Sequence, residues 1–135
     1  MGFLGNLLKN LFGIRDEAGR FVNKTRYRSV DIDEQGILNV RDVVANIFTG
    51  YDIQENVPVT NFGNYESRYN FAHVVYDTDG KAKLAVLLVP HNGKKNRHFY
   101  NAKQACEDNG IPFVFFYDYM PNQVEYAENR IRTSL

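Results

Sequence analysis

The chain has 135 residues, of which 44% are hydrophobic, 14% aromatic and 24% charged, and its 16 Lys and Arg balance its 16 Asp and Glu to a formal net charge of zero. That length suits one core rather than two, and that composition excludes an intrinsically disordered chain. Neutrality speaks against a dedicated nucleic-acid binder, because counterion release from phosphates favours a basic face, but it leaves room for a local basic patch.

In chain order, Leu4, Leu7, Leu8, Leu11 and Phe12 recur at helical spacing ahead of Gly13, predicting a short amphipathic helix over residues 1–13. It would serve as a membrane-surface or partner-binding helix, or dock on its own domain; one Lys, Lys9, makes a thin polar face for lipid. MGFLGNLLKNLFG lacks the basic start, unbroken apolar run and small-residue cleavage site of a signal peptide. Asn6 stands where a myristoylation signal has Ser or Thr. Residues 15–28 carry five basic and two acidic side chains around a Gly turn, readable as a hairpin or an irregular, solvated arm.

The remainder, taken with that arm, reads as one globular domain over residues 14–135. Ile37, Val40, Val43, Val44, Ile47 and Phe48 form one helical stripe, with Gly50 placed to end it. Tyr51 to Asn70 has no clear period and reads as loop, with a short strand at Val57 to Thr60. FAHVVYDTDGKAKLAVLLVP is two β-prone runs joined at Asp77-Thr78-Asp79-Gly80, a hairpin signal. Its second half, LAVLLV, is continuously apolar and predicts a central strand buried on both faces. Residues 97–109 predict a helix with Phe99, Ala102, Ala105 and Cys106 inward and Gly110 at its C-terminal end. A strand over Ile111 to Tyr117 and a last helix opened by Pro121, with Val124, Ala127, Ile131 and Leu135 on its stripe, complete an α/β fold with a small mixed sheet and flanking helices.

The chemistry-bearing residues concentrate after the central strand. His91, Lys94, Lys95, Arg97 and His98 lie just before and within a helix start, where backbone amides add partial positive charge, so they are the candidate binding site for an anion or a phosphate backbone. Tyr100, Tyr117 and Tyr119 could stack bases, though packing is their commoner use. His73, His91 and His98 match no metal-binding spacing, so no metal site is expected. The lone Cys106 excludes an internal disulfide and a multi-Cys zinc site, and on an apolar stripe it reads as a small buried hydrophobe. Gly-rich phosphate loops are absent, so no nucleotide cofactor is expected, and with no apolar run of membrane-spanning length the expected location is the cytoplasm.

A helix, an antiparallel hairpin with a "DGK" turn, an apolar strand, a polar helix and the step "NGIPFVFF" into the next strand resemble the restriction-endonuclease-like core, the PD-(D/E)XK nuclease superfamily. The closest likeness is to its short bacterial members of the very-short-patch-repair type, over roughly residues 36–120. In that family two carboxylates hold a divalent metal that activates water, and a lysine helps the nucleophile. The resemblance places the carboxylates near Ala72 and at Leu88 and the lysine at Pro90, none of which can do that work. It therefore implies no catalytic residues and a non-catalytic, nuclease-fold domain that binds nucleic acid or another anion. A second reading is a protein-interaction or self-associating module using residues 1–13. A third is a metal-dependent nuclease whose site has migrated to Asp42, Glu66 or Asp77, reaching toward His91.

Overall fold

The computed structural model describes residues 31–91 and 96–135, together with the backbone of Leu7–Leu8 and Asn10–Leu11. Those last two pairs are extended and pair in parallel as a unit by themselves. The helix expected over residues 1–13 otherwise lies outside the described residues, as do Lys94 and Lys95.

From Asp31 onward the elements alternate as α1 (Glu34–Ile47), β1 (Asp52–Pro58), a 3-10 turn (Val59–Phe62), β2 (Asn70–Tyr76), β3 (Ala82–Val89), α2 (Arg97–Asp108), β4 (Phe113–Tyr117) and α3 (Val124–Ser134). The sheet order is β1-β2-β3-β4. The first three strands form an antiparallel meander, and α2 crosses over to bring β4 parallel to β3. This is the mixed-sheet α/β class the sequence predicts. Among the described residues no helix is long and apolar enough to cross a membrane.

Strand β3 explains the layering. Ala85, Leu87 and Val89 point to one face, where α2 supplies Phe99, Ala102, Ala105 and Cys106. Leu84 and Val86 point to the other, against Val40, Val43 and Val44 of α1 and Ala127 and Ile131 of α3. A strand covered on both faces needs no polar alternation, which is why LAVLLV reads as a continuous apolar run.

The ends of α1 and α2 are closed by identifiable residues. Asp33 Oδ1 accepts the Gly36 amide at 2.8 Å to cap α1. At the far end of α2 Gly110 takes φ +67°, its amide donating to Glu107 and that of Ile111 to Cys106, a Schellman closure that uses the predicted glycine. The β2–β3 turn forms at Asp77 to Gly80 as expected, with Asp77 Oδ1 accepting the amides of Asp79 and Lys81, both at 2.9 Å.

Two expectations need correction. The segment after Tyr51 is not mostly loop: β1 spans seven residues at the sheet edge. Its apolar signal is weak because only Val57 is buried, and Asn56 at φ 54° breaks the alternation. On α3, Val124 and Leu135 are exposed, so its buried stripe is only Ala127 and Ile131.

Candidate anion-binding site

The parallel pair β3 and β4 ends at Val89 and Tyr117, and α2 begins beside them; in α/β sheets the carboxyl ends of strands are where loops gather and ligands bind. The positions that the nuclease pattern assigns to carboxylates and lysine lie at this end of the sheet. Ala72 and Pro90 are half-buried, and Leu88 packs against the face covered by α1 and α3. Apolar packing, not coordination, is what these side chains do here.

His91 leaves β3 half-buried and meets Tyr119 edge to face, with ring centroids 5.2 Å apart. Its Nδ1 is buried without a hydrogen-bond partner. Asp118 lies close enough to feel it: burial raises the Asp118 carboxyl above its ordinary value, and His91 opposes part of that rise. His98 has different neighbours. It sits in the first turn of α2, tilted against Tyr69, and its Nδ1 accepts the Arg68 amide at 3.1 Å. With Nδ1 occupied as an acceptor, the neutral ring carries its proton on Nε2.

The segment opposite α2 is laced to it along its length. Asn109 donates to the Phe62 carbonyl, the Tyr65 hydroxyl to Asp108, and Asn101 to the Glu66 carbonyl. At the first turn of α2, Ser67 Oγ donates to the His98 carbonyl at 2.9 Å. The Tyr65–Asp108 bond holds the carboxylate below its ordinary value and raises the phenol. These contacts fix the Arg68 backbone against the His98 ring and leave the Arg68 side chain exposed. Arg97 faces Glu66 at 3.8 Å, with both side chains largely exposed. Such a pair is worth about 0–1 kcal/mol, so it does not tie the guanidinium down.

The α2 amides contribute less than the sequence suggests. Asn96 Oδ1 accepts the His98 and Phe99 amides at 3.0 and 3.2 Å, so this cap uses donors that an anion would otherwise take. Positive potential at this helix start then comes from side-chain charge and the helix dipole. Arg68 is not among the sequence candidates: it lies 30 positions from His98 in a loop without periodicity, and only tertiary hydrogen bonds bring it there.

The other candidates stand apart. His73 is 5% exposed on β2, opposite Glu55 and Val86, and burial lowers its pKa, with Glu55 opposing and Arg41 reinforcing the shift. Asp42 pairs with Arg41 on the exposed face of α1, and Asp77 closes the hairpin turn at the opposite end of β3 from His91. Among the described residues no group of three His, Cys, Asp or Glu could hold a metal ion. Cys106 is buried in the α2 face, and burial, with a smaller effect of Glu107, pushes its thiol up to about 12. Tyr100 is exposed, whereas Tyr117 and Tyr119 are half-buried and tilted against one another.

Comparison of the chain with protein-family models, with curated proteins and with solved structures finds no match.

Proposed function

We propose that the chain is a restriction-endonuclease-like domain that has lost its hydrolytic site and binds nucleic-acid phosphates at the start of α2. The fold reading is supported by the element order: a helix, a three-stranded antiparallel meander, a crossover helix and a parallel fourth strand. The loss of hydrolysis follows from Ala72, Leu88 and Pro90, which offer neither a metal-binding carboxylate nor a proton acceptor.

The observation that carries the binding reading is the lacing of residues 62–69 onto α2, which adds exposed Arg68 to Arg97 and His98. Lys94 and Lys95, which precede α2 in the sequence, and His91 at the strand end are the other candidates. Phosphate contacts of this kind position a nucleic acid without reading its sequence. Four cations, Arg68, Lys94, Lys95 and Arg97, would give a slope of log K against log salt of about −3 to −4 for duplex DNA. Such a domain would work in the cytoplasm, where Cys106 stays reduced.

The test is fluorescence anisotropy of a labelled DNA duplex titrated with the full chain across a salt series. Binding that weakens steeply with salt, and that Lys94→Ala with Lys95→Ala weakens equally on unrelated duplexes, supports the reading. No binding at low salt, or cleavage of the duplex when Mg²⁺ is added, overturns it.

A further inference from the structure

A cleft of about 460 Å³ lies between the outer edge of β4 and the first turns of α3. Its walls are aromatic and apolar, and two of them, Met120 and Tyr126, are large side chains left 45% and 52% exposed. Among the described residues, Arg130 is the one charged residue lining it. No carboxylate pairs with Arg130 among the described residues, and its Nε is buried without an acceptor. The guanidinium is nonetheless held in place, 5.1 and 5.5 Å from the ring centroids of Phe115 and Phe116, with Nη2 donating to the Phe115 carbonyl at 2.9 Å.

The β4 edge excludes one kind of occupant. Pro112 accepts from Ala85 and the Asp118 amide donates to Val89, so the even-numbered residues of this strand face β3 and the odd-numbered ones face outward. Of the outward carbonyls, that of Phe115 is taken by Arg130 and that of Tyr117 by the Asn122 side chain. An added strand would have to displace both, so the edge is blunted against peptide pairing. A compact ligand has no such conflict, and the volume is that of a small-molecule pocket.

We propose that this cleft binds a small planar aromatic monocarboxylate, its ring against the aromatic walls and its carboxylate on the Arg130 guanidinium. A planar fork of donors already fixed by ring stacking loses little freedom on meeting a carboxylate. The site is independent of the basic surface at α2.

The experiment follows backbone amide NMR shifts while the full chain is titrated with 2-naphthoate, and separately with the neutral 2-naphthamide. Saturable shifts confined to residues 115–130 are expected with naphthoate, and naphthamide should bind about tenfold more weakly, the loss expected for one charge-assisted hydrogen bond. Arg130→Gln should abolish that preference. Because Arg130 also holds the β4 edge, the exposed Gln123→Glu provides a second variant: it puts a competing carboxylate in the cleft and should weaken naphthoate binding about tenfold while leaving the unliganded spectrum otherwise intact. Equal affinity for the acid and the amide, absence of saturable shifts, or undiminished naphthoate binding by Gln123→Glu would overturn the proposal.

Discussion

Gly36→Ala tests how the loop after β4 is held. Gly36 is buried in the first turn of α1, and a methyl group there would lie 2.2 Å from the Met120 carbonyl oxygen and 2.9 Å from that of Pro121. Replacing a helical glycine by alanine ordinarily stabilises by up to about 1 kcal/mol. Here the obstructing atoms are backbone, and the loop is anchored by the Asp33 amide donating to Asp118 at 3.0 Å and by Asn39 donating to Pro121. Overpacking of this kind costs about 1–3 kcal/mol, and since no rotamer change relieves a carbonyl clash we expect the upper end, for a net loss of about 2 kcal/mol. Urea unfolding followed by far-ultraviolet circular dichroism should show a lower midpoint with an unchanged slope. A stabilised variant, or one within about 0.5 kcal/mol of the parent, would refute the reasoning, because a helix free of that loop would show only the propensity gain.

Two further outcomes follow from buried titratable groups. Burial holds His73 below its unfolded value, so the unfolded chain binds more protons as pH falls through the ordinary imidazole range near 6.5. The His73 contribution is therefore complete above that range and lost below it, with a slope of at most about 1.4 kcal/mol per pH unit. Urea unfolding at pH 7.5 and 5.5 should show a larger acid loss for the parent than for His73→Leu; parallel losses would contradict it. Cys106, buried and with its thiol raised to about 12, should resist iodoacetamide at pH 8 in the folded chain and react on unfolding, as mass spectrometry would show. Prompt labelling of folded protein would mean that α2 does not cover it.

The elements that read clearly are those whose burial leaves a simple pattern. β3 is covered on both faces and is apolar throughout, and α2 shows its four inward residues at helical spacing with a glycine closing it. β1 does not read as a strand because an edge position with one buried side chain and a positive φ at Asn56 carries no period. The site is legible only in part. Arg97 and His98 are visible as polar residues at a helix start, but Arg68 joins them through hydrogen bonds spanning some 30 positions, which local pattern does not encode. The same tertiary packing gives His91 and His98 different neighbours, Tyr119 and Tyr69, although both flank the same short connection.

If the segment laced to α2 and the start of that helix form one phosphate-binding surface, Arg68 is the residue that distinguishes it from a simple helix start. The Arg68 backbone amide makes the structural contact with His98, so Arg68→Ala removes the charge and leaves the lacing in place. The measurement is the slope of log K against log salt for a labelled duplex with the parent and with Arg68→Ala. The parent should bind measurably and the variant should show a slope shallower by about one, because one fewer phosphate is neutralised. No binding by the parent at low salt, or identical slopes for the two proteins, would contradict it.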